Sequence, residues 1–124
     1  MAIKLLLDTN SIIALLNEDA RVVELTDVAD DIFISIINEL EFKSFSNLSL
    51  HDIELFDAFV SRINVLDLQA SDITLKNKII EIRNTYRLRL PDAIIAASAM
   101  VNNAVLVTAD KDFKKIGNLK LKII

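Results

Sequence analysis

The sequence of 124 residues predicts an α/β fold: a central, mostly parallel sheet of four to five strands with helices on both faces. Three observations predict it. Short β-branched and aliphatic runs alternate with longer stretches whose apolar residues recur at helical spacing. Helices of that length between strands imply right-handed crossovers, and hence parallel neighbours. Four acidic residues, Asp8, Glu39, Asp92 and Asp110, each fall where a run gives way to a helix, or in that helix's first turns. In an open parallel sheet those strand ends share one edge, so carboxylates distant in sequence converge there.

Residues 3–7 form an aliphatic run ending at Asp8-Thr9-Asn10, which predicts a buried strand and a capped helix reaching Leu16. A second helix is expected over 20–28 and a second strand over 31–34. Ser35 suits the cap of a helix carrying Ile36, Ile37, Leu40, Phe42 and Phe45. Ser49 and Asp52 stand at capping-box spacing and open a helix to about residue 62, followed by a third strand over 63–66. A long amphipathic stretch from about 69 to 86 carries Ile73, Ile79, Ile80 and Ile82 at helical intervals. Pro91 suits the first turn of the next helix, whose small residues Ala93, Ala96, Ala97 and Ala99 allow close packing on a sheet. Residues 104–107 predict the fourth strand and 110–115 a short helix. Gly117, the single glycine, is expected to stop that helix, and 119–123 to form the last strand.

The length fits one domain over residues 1–124, without repeat or linker. An apolar fraction of 52% and a mean hydropathy of +0.40 are high for a monomer of this size, so a homodimer or a covering partner protein is expected. No apolar stretch is long enough for a membrane span. No basic segment and apolar leader precede the first strand, and there are no cysteines, so a cytoplasmic location is expected.

The formal charge of −4 argues at first against a nucleic-acid partner. Its distribution reverses that. Setting aside the four strand-end acids leaves 14 acidic and 14 basic residues. From Arg83 onward there are eight bases and three acids, so the C-terminal third is suited to face phosphates.

Crowded carboxylates repel one another, and the cluster therefore implies Mg²⁺ or Mn²⁺. Hydrolysis of a phosphodiester needs a deprotonated water, a sink for transition-state charge and help for the leaving oxygen, which hard cations supply. The short arms of Asp8 and Asp110 suit ligands close to strand ends. Glu39 is expected to reach from one turn inside its helix. Asp92, beside Pro91, is expected where unpaired backbone N–H groups keep a carboxylate ionised.

Residues 6–10 (LLDTN), 35–40 (SIINEL), 92–99 (DAIIAASA) and 108–113 (TADKDF) together resemble the PIN-domain ribonucleases, and within them the VapC-type toxins of toxin–antitoxin pairs. The resemblance covers essentially the whole chain and rests on the order and intervals of these segments. It implies that Asp8, Asp92 and Asp110 ligate Mg²⁺ or Mn²⁺, that Glu39 ligates or positions the attacking water, and that the substrate is RNA. It also implies a cognate antitoxin protein and a homodimer, both using the helices that carry Phe42, Phe45, Phe56 and Phe59. A PIN nuclease serving RNA processing remains the alternative.

Asn10, Thr108 and Thr9 are candidates for orienting the acids, although Thr9 and Asn10 also suit helix caps. Asp112 is the rival of Asp110, which comes sooner after its strand. Lys43, Arg87, Arg89 and Lys111 are candidates for RNA phosphates, against surface ion pairing. Many relatives have a glycine before the third acidic segment, where this chain has residues 86–91 (YRLRLP). His51 has no ligand pattern around it and is expected at the surface. A haloacid-dehalogenase phosphatase requires an acid where Asn10 stands. A receiver-like Mg²⁺-binding module requires an acceptor aspartate and a later lysine–proline turn that do not follow.

Overall fold

The computed structural model describes residues 2–124; Met1 lies outside the described residues. The chain runs β1 (Lys4–Leu7), α1 (Thr9–Leu16), α2 (Ala20–Asp27), β2 (Asp31–Ser35), α3 (Ile36–Lys43), α4 (Leu50–Val60) and β3 (Asn64–Leu66). It continues through α5 (Ile73–Tyr86), α6 (Leu90–Val101), β4 (Val105–Thr108), a 3₁₀ turn (Lys111–Lys115) and β5 (Leu121–Ile123). The five strands form one sheet in the order β3-β2-β1-β4-β5, and every pairing is parallel.

β1 is central, and its side chains divide the core. Leu6 joins the buried side chains of α5 and α6, among them Ile79, Ile82, Ala93 and Ile95. Leu5 and Leu7 join Ile12, Phe42, Phe56 and Val107 on the opposite face. Successive strand residues alternate between faces, so this division requires helices on both. α6 meets the sheet through Ala93, Ala96, Ala97 and Ala99, all fully buried, where larger side chains would hold the helix off.

Several boundaries differ from the sequence expectation, for local reasons. α5 starts at Ile73 rather than near residue 69, because Asp72 accepts from Leu75 N–H and caps it there. Its buried stripe is Leu75, Ile79 and Ile82, whereas Ile73 and Ile80 are 60% and 57% exposed. α3 stops at Lys43, which leaves Phe45 outside the helix and exposed. The segment expected as a short helix is a 3₁₀ turn capped by Asp110. Gly117 is not its left-handed stop: Ile116 is the C-cap, and Asn118 adopts the positive φ of 65°. α1 is capped by Asp8 itself rather than by Thr9 or Asn10.

The capping box expected at the start of α4 is present, and α3 has a second one that was not expected. Ser35 pairs with Asn38 at the start of α3, and Ser49 with Asp52 at the start of α4. α5 ends on Arg87 in the left-handed conformation, φ 54° and ψ 43°, which glycine adopts without steric cost.

A candidate metal centre at the carboxyl edge of the sheet

The strand order reverses direction between β1 and β4, and ligands in open α/β sheets bind outside the carboxyl ends at such a switch point. Asp8 directly follows β1, and Asp110 follows β4 by two residues. Leu7 pairs with Val107, which brings the two strand ends level.

Asp8 is buried, and both carboxylate oxygens are held. Oδ1 accepts from Thr9 N–H at 2.9 Å and Asn38 Nδ2 at 3.3 Å; Oδ2 accepts from the Thr108 hydroxyl at 2.7 Å. Thr108 Oγ1 in turn accepts from Asp110 N–H at 3.0 Å, which links the two acidic segments. Burial pushes the Asp8 carboxyl up; the bonds from Thr108 and Thr9 pull it down, and the charges of Asp92 and Asp110 raise it again. The three aspartates singled out in the sequence thus share one electrostatic neighbourhood.

Glu39 does not join them in the same way. It pairs with Lys43 at 3.9 Å, and Lys43 pairs with Asp57 of α4 at 3.1 Å, 5.8 Å from the Phe56 ring. Glu41, two residues on, is about 200° around the helix, and the charges of Asp8 and Asp92 act on its carboxyl. Glu41 is exposed as a residue, yet partial desolvation of its carboxyl, followed by the charges of Asp8 and Asp92, pushes its pKa up, while Arg89 pulls it down. Sequence reasoning missed Glu41 because both glutamates lie in one short helix and the phase of that helix decides between them.

Other candidates are placed as follows. Thr9 donates its N–H to Asp8, and its hydroxyl accepts from Asn38 Nδ2 at 3.2 Å. Asn10 Oδ1 accepts from Ala109 N–H at 2.9 Å and so steadies the loop carrying Asp110 rather than a carboxylate. Asp112 is exposed and donates its N–H to Asp110 Oδ1 at 2.9 Å. Arg89 Nε meets Asp92 Oδ2 at 3.2 Å. Arg87, Lys111 and His51 are exposed, and Lys43 is engaged by the acids named above.

Among the described residues, no three acidic side chains stand at coordinating distance of a common point, and Asp92 is turned to Arg89. The donor set nonetheless fits a hard dication. Its groups are anionic oxygens, and the charges of Asp8 and Glu41 are disfavoured by burial and by their acidic neighbours, which a cation would relieve. The acids lie on an open edge. Two hollows lie elsewhere: about 380 Å³ beside Ile13, Phe42, Phe45 and Leu55, and about 450 Å³ beside Leu68, Ile80, Leu90 and Ile94.

The PIN domain family model matches residues 5–119. The chain belongs to the PIN-domain family. Among solved structures it is similar to VapBC2 from Rickettsia felis bound to a DNA fragment from their promoter. That chain is 28% identical, with 98% of this chain and 99% of that one covered and a TM-score of 0.81. VapBC-1 from nontypeable Haemophilus influenzae is 25% identical, with 98% of each chain covered and a TM-score of 0.79. A toxin–antitoxin complex from Klebsiella pneumoniae is 25% identical, with 94% of each covered and a TM-score of 0.77. Curated protein sequences give no match.

Proposed function

We propose that this chain is a metal-dependent endoribonuclease, the toxin of a VapBC-type toxin–antitoxin pair, with Asp8, Glu41, Asp92 and Asp110 as its acidic set. Glu41 takes the role expected of Glu39. The observation that carries this reading is that Thr108 joins Asp8, at the end of β1, to Asp110, after β4, at the switch point of a parallel sheet, with the charge of Asp92 acting on both Asp8 and Glu41. Bound Mg²⁺ or Mn²⁺ supplies charge neutralisation at the phosphate and lowers the pKa of the attacking water.

The chain's own residues account for the rest. Thr108, Thr9 N–H and Asn38 hold the Asp8 carboxylate in one orientation. Asp110 is fixed to the same frame through its backbone N–H. Asp92 and Glu41 bring two further anions; Arg89 pairs with Asp92 at 3.2 Å and its charge lowers the pKa of Glu41. An open edge suits a polymer that crosses it rather than a small molecule that must be enclosed. Arg87, Arg89 and Lys111, close in sequence to Asp92 and Asp110, give that polymer its phosphate contacts.

The receiver-like alternative fails on topology. Receiver folds have the strand order 2-1-3-4-5, whereas this sheet is ordered 3-2-1-4-5. The partner reading is supported by exposed Phe45 and Leu55 around the hollow between α1, α3 and α4, an apolar surface suited to an antitoxin segment or a second protomer.

RNA cleavage by purified protein with Mg²⁺ or Mn²⁺ tests the function. Asp8→Asn, Asp92→Asn and Glu41→Gln are each expected to lower the rate about a hundredfold or more, and Glu39→Gln to leave it within about threefold. Cleavage that survives Asp8→Asn and Asp92→Asn contradicts the mechanism. A greater loss from Glu39→Gln than from Glu41→Gln contradicts the revised acidic set.

A further inference from the structure

Asn38 is completely buried, an unusual place for a carboxamide, and both ends of its amide are engaged. Oδ1 accepts from Ser35 N–H at 2.9 Å and closes the capping box of α3. Nδ2 donates to Asp8 Oδ1 at 3.3 Å and to Thr9 Oγ1 at 3.2 Å. Chemistry fixes which end is which, since a backbone N–H only donates and an ionised carboxylate only accepts.

The chain contains its own control for this choice of side chain. The capping box of α4 uses Asp52 at the equivalent position, with Ser49 N–H donating to its carboxylate at 3.0 Å. An aspartate therefore suffices for capping in this protein. What the α3 box needs in addition is an N–H donor toward Asp8, where a second carboxylate would repel. Asn38 also precedes Glu41 by three residues, so the two share one side of α3.

We propose that Asn38 is a positioning residue of the acidic centre: its amide clamps the Asp8 carboxylate opposite Thr108 and, through the same capping box, sets the helix phase that presents Glu41. The inference rests on the metal-centre reading above, and it concerns a residue that ligates nothing.

The test is Mn²⁺ binding, followed by the electron paramagnetic resonance of the free ion, in the wild type, Asn38→Ala and the capping control Asp52→Ala. Asn38→Ala is expected to weaken Mn²⁺ binding about tenfold or more, and Asp52→Ala to stay within about twofold of wild type, while both lose thermal stability. With RNA, Asn38→Ala is expected to lower kcat and leave KM near wild type. A folded Asn38→Ala that loses thermal stability but binds Mn²⁺ like the wild type makes Asn38 a cap alone and overturns the proposal.

A second measurement needs no variant. The side-chain amide resonance of Asn38 in the wild-type chain is expected to shift on titration with Mg²⁺, with the midpoint of ion binding. A resonance that stays fixed while Mg²⁺ binds also overturns the proposal. A wild type that binds neither ion overturns the metal-centre reading itself, and the role of Asn38 with it.

Discussion

Asp8 sits where ionisation is disfavoured: burial pushes its carboxyl above the ordinary 3.8, and Asp92 and Asp110 add to that. A raised folded-state pKa means that the bound proton stabilises the fold fully below the unfolded value, and that this stability is lost as pH rises through the folded value. In metal-free buffer, the thermal midpoint of the wild type is therefore expected to fall relative to that of Asp8→Asn as pH rises from about 4 to 7. Groups elsewhere cancel in that difference, and a constant gap across the range contradicts the electrostatic account. Mg²⁺ at neutral pH is expected to raise the midpoint of the wild type and not that of Asp8→Asn. Asp8 and Asp110 were legible because aliphatic runs mark their strand ends, and Asp92 because Pro91 marks a helix start. Glu41 was not, because choosing between two acids about 200° apart on α3 requires the tertiary bond from Asn38 to Asp8 that orients the helix.

The turn between α5 and α6 forces Arg87 into a left-handed conformation that costs a side-chain-bearing residue about 1–2 kcal/mol. Glycine recovers that cost but adds about 0.5–1 kcal/mol of unfolded-state freedom. Arg87→Gly is thus expected to stabilise the chain by about 0.5–1 kcal/mol in chemical denaturation, and a loss of stability contradicts the turn geometry. If Arg87 also meets phosphate, the same variant binds RNA more weakly. Within α5, Ile79→Ala is expected to cost about 2–5 kcal/mol, because Ile79 is 6% exposed and lies in the core. Ile80→Lys, at an exposed position, is expected to change stability by about 0.5 kcal/mol or less; equal effects would show that the helix phase is wrong. The existence of α5 was legible from its apolar spacing, but its phase was not. Ile73, Ile79, Ile80 and Ile82 fit more than one stripe, and packing against α6 selected Leu75, Ile79 and Ile82.

At the scale of the molecule, the central strand commits one side chain to each half of the core in turn, with Leu6 on the α5–α6 side and Leu5 and Leu7 on the other. That arrangement was legible from alternating strands and helices, and so was the parallel sheet. The strand order was not, since crossover handedness constrains neighbours without saying where the order reverses. The reversal between β1 and β4 matters most, because it places Asp8 beside the loop that bears Asp110. The measurement that tests this most directly is the anomalous difference map of crystals soaked in Mn²⁺. A peak bound by Asp8 is expected, with Asp92, Asp110 and Glu41 around it and Arg89 moved off Asp92. No peak beside Asp8 at saturating Mn²⁺, or an ion held by Glu39 with Glu41 turned to solvent, would contradict it.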